Sequence, residues 1–415
     1  MAEIENRPWF IDGRTGATET YAELLADLNK NRVSVRPLCQ PASPRDALRQ
    51  IAASVAFGTE LTLFDSGMKE HELEALGYRS DQINQFQTVS AGDTANLPML
   101  KALAGGQSSA RLGLFTSGST GLPKLVWQTV ANLARAVKVS PRHAGAVWSF
   151  AYNPTHVAGI QVYLQALANG CPVVDVFGLD RSGVLRAIED YGVTHVSATP
   201  SFYRLLLPAE RPLAVVRSVT LGGESSDTAL LGRLRGLFPN ARFHNVYAST
   251  EAGTLLSSED DVFSIAPGLD EFVIVRDGRI HVHRSLLGVF AGAASADDWY
   301  DSGDGVDIVS SAPLRFRIVA RERDWVNVGG NKVNPREVEA VLEEFPGVRK
   351  ARVNARASSV TGHILCAEIE CNGAAPTEPA LREFAAARLQ PFKVPRMIRF
   401  VANIMQTRSG KVSRQ

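Results

Sequence analysis

The chain has 415 residues, enough for two or three domains and a sizeable buried core. Apolar residues make up 45% and charged residues 21%, ordinary proportions for a globular chain. Lys and Arg number 44 against 43 Asp and Glu, a net charge of +1 with no run of five like charges, which argues against nucleic acid as the main partner. Cys39, Cys171, Cys366 and Cys371 are scattered, with no Cys-x-x-Cys pair. That pattern excludes a disulfide scaffold or structural zinc site and predicts free buried thiols in a reducing compartment. The opening MAEIENRPWFIDGRTG lacks the apolar core of a signal peptide. The most apolar stretch, residues 157–179, is interrupted by Gln161, Gln165, Asn169, Pro172 and Asp175, so no membrane span is expected. A cytoplasmic protein is the expectation.

In chain order, helical spacing first occurs in 20–29, where Leu24, Leu25 and Leu28 follow a threonine suited to capping. It returns in 43–56, with Ser43 as N-cap and Pro44 in the first turn. From Arg111 the rhythm becomes strand, glycine-rich turn, helix: a strand at 111–116 and a helix at 131–139. Strands at 146–151, 172–176, 193–198 and 216–221 alternate with helices at 157–168, 182–191 and 227–238. Such alternation predicts parallel strands joined by crossover helices. Beyond about residue 260 short alternating segments at 272–275, 279–283 and 314–319 suit antiparallel strands. Asn334-Pro335 opens a helix, 348–355 and 364–369 read as strands, and 378–387 as a last helix. The expected domains are 1–320 and 321–415.

The stretch that carries most chemistry is Phe115 to Lys124, FTSGSTGLPK. Glycines allow positive φ, so successive N–H groups can point into one concavity. The hydroxyls of Thr116, Ser117, Ser119 and Thr120 add donors around Gly118 and Gly121, and Lys124 adds positive charge. Together they suit a phosphate cradle. It is not a Walker loop, because no Gly-Lys-Ser/Thr follows at the required spacing.

This loop resembles the phosphate loop of the AMP-forming acyl- and aryl-CoA ligases, and further elements follow in that family's order. Tyr247-Ala248-Ser249-Thr250-Glu251 resembles its Tyr-Gly-x-Thr-Glu motif, and Tyr300-Asp301-Ser302-Gly303-Asp304 its Tyr-x-Thr-Gly-Asp motif. Arg321-Glu322-Arg323, with Gly329-Gly330 and Asn334-Pro335-x-Glu337, resembles the hinge and the start of the small domain. Ser409-Gly410-Lys411 resembles the C-terminal Ser-Gly-Lys motif. The nearest likeness is to short members such as the o-succinylbenzoate-CoA ligases.

The resemblance implies a large α/β domain of stacked, mostly parallel sheets with a β-rich subdomain, then a small mobile α+β domain. It implies that ATP, Mg2+ and a carboxylic acid give an acyl-adenylate, which passes to the thiol of coenzyme A or of an acyl-carrier protein's phosphopantetheine. A stand-alone carrier-protein ligase is the alternative, and monomer and homodimer both remain open. The loop and Lys124 would hold phosphates, Glu251 the Mg2+, and Tyr247 the adenine against the backbone of Gly223, Glu224 and Ser225. Thr250 would line the ATP site, and Asp304 and Arg321 would bind the ribose. Lys411 would stabilise adenylation, Arg323 mark the hinge, and Gly329-Gly330 line the thiol tunnel. The acyl pocket would lie among Tyr152, His156, Val157, Gly222 and Ala248, with His156 at its mouth.

Some positions depart from the pattern. The segment before the loop is only about 110 residues, so the first subdomain is trimmed. Ala248 replaces a glycine, Gln128 stands where a histidine is common, Ser302 replaces threonine, and Ala320 replaces the glycine before Arg321. The Ala248 methyl is expected to shorten the acyl pocket and favour a compact aryl acid.

Overall fold

Capping chemistry sets the helix starts. Thr20 accepts the amide of Glu23, and the Glu23 carboxylate accepts the amide of Thr20, a reciprocal pair that opens helix Tyr21–Leu28. Ser43 likewise accepts the amide of Asp46 to open Pro44–Phe57, which ends at Gly58 with φ of 66°. Each such cap contributes about 1 kcal/mol. A computed structural model describes residues 5–30, 33–68, 70–89, 95–116, 123–209, 211–224, 226, 228–291, 298–319, 326–328, 331–358, 362–389 and 391–404.

Six parallel strands form the centre of an eight-stranded sheet. Its order is Gly253–Ser258, Arg242–Ser249, Ser218–Gly222, His195–Ala198, Trp148–Phe150, Val173–Asp175, Pro8–Asp12 and Thr18–Thr20, with the two outermost strands antiparallel. Helix Val157–Asn169 buries Ile160, Tyr163, Leu164 and Leu167 in one apolar core. Arg181–Asp190 and Thr228–Leu237 bury Val184, Ile188, Leu230 and Leu234 in a second. The chain leaves Trp148–Phe150 for the neighbour on one side and then returns to the neighbour on the other. That reversal opens a crevice at the carboxyl ends of the strands, where open α/β sheets bind ligands.

A second sheet runs Leu38–Cys39, Glu60–Leu63, Arg111–Thr116 and Lys124–Thr129, the first three parallel and the last antiparallel. The helix expected at 131–139 is absent: a single turn, Val130–Leu133, follows strand Lys124–Thr129. Lys138 is held outside it by a neighbouring helix, whose Gln165 bonds both its amide and its carbonyl. Strands Pro8–Asp12, Thr18–Thr20, Leu38–Cys39 and Glu60–Leu63 were not anticipated among the helical signals of the first hundred residues. Farther along, Val273–Arg276, Arg279–His283, Trp299–Ser311 and Leu314–Val319 form a four-stranded sheet in that order. The last sheet pairs Val348–Ser358 antiparallel with Gly362–Cys371, which runs parallel to Met397–Phe400. Helices Pro335–Glu343 and Glu378–Ala386 bury Val338, Leu342 and Leu381 with it.

The chain divides into two compact units, residues 1–276 with 281–301 and 308–317, and residues 277–280 and 302–307 with 318–415. No helix among the described residues is long and apolar enough to cross a membrane. All four cysteines are free, but only Cys39 and Cys171 are buried; Cys366 and Cys371 are partly exposed, because their strand has one face only partly covered.

The opposite, amino-terminal ends of the central strands carry a histidine cluster. His195 lies 4.5 Å from the Trp148 ring and 5.8 Å from His143, and its Nδ1 bonds the Thr194 hydroxyl at 2.8 Å. Burial, reinforced by His143, Arg217 and His244, lowers its pKa to about 4. The unfolded chain therefore takes up a proton below pH 6.5 that the native protein refuses until about pH 4, so stability falls as pH drops through this window. The share due to His195 is at most roughly 2 kcal/mol between pH 7 and 5, reduced by solvent screening of this half-buried ring. Urea unfolding of His195→Gln should show a correspondingly smaller loss over that range; an equal loss would remove His195 as the cause.

Candidate active site

The loops at the crevice edge follow strands of the central sheet and contain Tyr152, His156, Gly223, Glu224, Thr250 and Glu251. After Trp148–Phe150 comes Tyr152, which is buried, with its hydroxyl bonded to the Ser197 side chain. Burial pushes the phenol well above its usual pKa, so it stays neutral. A Cβ on Gly222 would stand 3.5 Å from this hydroxyl, which brings Tyr152 and Gly222 together in one wall. Val157 is buried at the start of its helix, and His156 holds the N-cap position without a side-chain capping bond. A Cβ on Gly159 would lie 2.7 Å from the Asn153 carbonyl, so glycine lets this helix sit tightly on the loop. Asn153 Nδ2 donates to Asp65 Oδ2 at 2.6 Å, joining the loops that follow Trp148–Phe150 and Glu60–Leu63.

Gly223 takes φ of 81° after strand Ser218–Gly222, and the Glu224 carboxylate accepts the amide and hydroxyl of Ser201 at 3.0 and 2.7 Å. Tyr247 and Ala248 lie in strand Arg242–Ser249 on either side of a register shift, with Ala248 opposite Thr254. Asp304 belongs to the second unit, within Trp299–Ser311; its amide donates to Ser302 Oγ, which donates to the Ile280 carbonyl.

Thr116 and Lys124 face each other across the antiparallel pair, so they close the two ends of the glycine-rich loop. Lys124 Nζ stands 3.5 Å from the Phe290 ring centre and 6.0 Å from that of Tyr300. Burial lowers the pKa of this ammonium, and the nearby charge of Glu251 opposes that shift. A carboxylate such as Glu251, near the cationic end of this loop, is a hard oxygen donor of the kind that would hold Mg2+.

Ser117, Gly118, Ser119, Thr120, Gly121, Ser225, Arg321, Arg323, Gly329, Gly330 and Lys411 lie outside the described residues. One residue that sequence marked only as a departure is central here. Gln128 is fully buried and donates from Nε2 to the carbonyls of both Thr250 and Glu251. A buried glutamine facing a turn 122 residues away leaves no local signal in sequence. Elsewhere, an apolar cavity of 520 Å³ lined by Leu97, Pro98, Lys101, Val139 and Ala168 contains none of the residues singled out.

Residues 33–270 match the AMP-binding enzyme family, and residues 337–411 the AMP-binding enzyme C-terminal domain. A 3-[(3aS,4S,7aS)-7a-methyl-1,5-dioxo-octahydro-1H-inden-4-yl]propanoyl:CoA ligase of Mycobacterium tuberculosis is 30% identical over 72% of this chain; the match spans 64% of that relative's length. A 2-succinylbenzoate–CoA ligase of Bacillus velezensis is 26% identical over 90% of this chain and 80% of its own. Among solved structures, o-succinylbenzoate CoA synthetase from Bacillus subtilis, in complex with the acyl-adenylate OSB-AMP, superposes with a TM-score of 0.72 at 18% identity. That match covers 98% of this chain and 94% of the other. ATP-bound MatB from Rhodopseudomonas palustris gives a TM-score of 0.72 at 19% identity with the same coverage.

Proposed function

The chain belongs to the family of AMP-binding enzymes, and from that premise we propose that it is an AMP-forming acid–thiol ligase. The observation that carries the reading is Lys124 at one end of the glycine-rich loop, near enough to Glu251 for their charges to interact, inside the region matched to the family. The acid's carboxylate attacks the α-phosphorus of ATP and pyrophosphate leaves; the thiol then attacks the acyl carbon and AMP leaves. No protein nucleophile is required, and none of the cysteines acts.

In this reading Thr116 to Gly121 and Lys124 bind the phosphates, and Glu251 holds a Mg2+ that neutralises phosphate charge when bound. Tyr247 and the backbone of Gly223, Glu224 and Ser225 flank adenine, and Asp304 and Arg321 hold the ribose. Lys411 reaches the site from the small domain, which begins near residue 321 and turns about Arg323, while Gly329 and Gly330 line the thiol's path. The acceptor is coenzyme A, in keeping with the names of the two sequence relatives. Free cysteines suit the reducing cytoplasm. An ATP–pyrophosphate exchange screen over aryl and aliphatic acids, followed by trials of coenzyme A and carrier proteins with the best acid, tests the assignment. Absence of exchange with every acid would count against it.

The acid is compact and planar. Tyr152 and His156 offer ring contacts, of the order of 0.5–1.5 kcal/mol beyond buried area. Both sequence relatives are named for ring-bearing acids. The Ala248 methyl shortens the pocket, so Ala248→Gly should extend the accepted chain length in the same screen. Faster turnover of dodecanoate than of any benzoate by the wild type would refute the pocket assignment and leave the ligase assignment standing.

A further inference from the structure

The turn bearing Glu251 is gripped by its main-chain carbonyls. Gln128 Nε2 donates to Thr250 O and to Glu251 O, each at 2.8 Å, and Glu251 O takes a second donor, the Gly288 amide, also at 2.8 Å. The far side of the carboxamide is fixed as well, since Gln128 Oε1 accepts from Asn132 Nδ2 at 3.4 Å. Just beyond, Arg135 Nη2 donates to Ala252 O and, at 3.3 Å, to Thr254 O, while the Thr254 hydroxyl bonds Gln161 Oε1 at 3.1 Å. Three stretches distant in sequence thus converge on one short turn.

We infer that Gln128 is a positioning residue for Glu251: its buried carboxamide, with the Gly288 amide, sets the backbone from which the Glu251 carboxylate would reach a phosphate-bound metal ion. The inference rests on the reading of Glu251 as the Mg2+ ligand. The residue type follows from the bonds. One nitrogen with two hydrogens serves two consecutive carbonyls, and the oxygen on the same group serves Asn132. A carboxylate of equal shape would turn lone pairs toward two carbonyl oxygens. A thioether would leave Thr250 O without this donor beside a fully buried side chain, where an unmade bond carries a desolvation cost. Gly288 has its own geometric reason. A Cβ there would stand 2.5 Å from Trp127 O and 2.7 Å from Gln128 Nε2, so only glycine lets the main chain close on the carboxamide.

The test compares full-length wild type, Gln128→Met, Gln128→His and Glu251→Gln. Two binding constants are read: Mn2+ affinity of the protein–ATP complex by electron paramagnetic resonance, and ATP affinity in excess EDTA by calorimetry. Gln128→Met should weaken metal binding about tenfold or more, the range for groups that orient a metal ligand. ATP binding in EDTA should stay within about twofold, as expected when only the ligand's support is lost. Gln128→His, which keeps one N–H, should recover part of the metal affinity, and it carries the test if Gln128→Met does not fold. Wild-type metal affinity in the Gln128 variants, while Glu251→Gln weakens it, would overturn the positioning role. Equal weakening of metal-free ATP binding would overturn it too, by showing general collapse of the site. Unchanged metal affinity in Glu251→Gln would overturn the reading of Glu251 itself, and the inference with it.

Discussion

Lys411→Ala should slow acyl-adenylate formation by about two to four orders of magnitude, the range for losing a charge-stabilising group in a water-poor site. The same variant should convert supplied acyl-adenylate to thioester at close to the wild-type rate. The asymmetry follows from where charge develops. In the first half-reaction negative charge builds on the non-bridging oxygens of the α-phosphoryl group and on departing pyrophosphate, and an ammonium relieves it. In the second the leaving group is AMP, and the thiol approaches from the acyl side. Lys411 stands in the Ser409-Gly410-Lys411 context, within the region matched to the family's C-terminal domain. Single-turnover assays of the two half-reactions separate the outcomes, and an equal drop in both would remove Lys411 from this role.

Glu251→Gln should raise the Mg2+ concentration for half-maximal pyrophosphate exchange by roughly tenfold or more, because an amide keeps the shape but loses the charge a hard cation requires. The side chain also bears on Lys124, whose ammonium loses the favourable charge of Glu251 in this variant. Burial then acts on Lys124 unopposed by that partner, and its pKa should move farther down. A metal titration superimposable on the wild type would sink the assignment.

What could be read in advance divides along a physical line. Helix starts at Tyr21, Pro44 and Pro335 were legible because a cap is a local device, complete within four residues. The parallel strands from Trp148 to Gly222 were legible because burial on both faces makes them short apolar runs. Pro8–Asp12 was hidden: its pairing with Val173–Asp175 joins residues 163 positions apart, and no local pattern reports that. The strand Lys124–Thr129 was lost for a related reason. Its alternation runs straight into Val130–Leu133, and the helical look of the following residues ends where Gln165 binds Lys138. Around the site, motif residues were visible because they lie contiguous in the chain. Their supports, Gln128, Arg135 and Gly288, were not, since each acts on a segment more than 30 residues away.

The 2.6 Å bond between Asn153 and Asp65 bears on how the first unit breathes. A hydrogen bond to a carboxylate is among the stronger polar links, and Asn153 is only 9% exposed while also accepting the amide and hydroxyl of Thr155. It acts as a rivet between the carboxyl-terminal loops of two sheets. With the rivet in place, thermal fluctuations cannot splay those two loops apart without first stripping a buried amide of its partner. Opening those two loops therefore carries the desolvation cost of that amide, about 1–3 kcal/mol, and ties movement at the end of one sheet to movement at the end of the other.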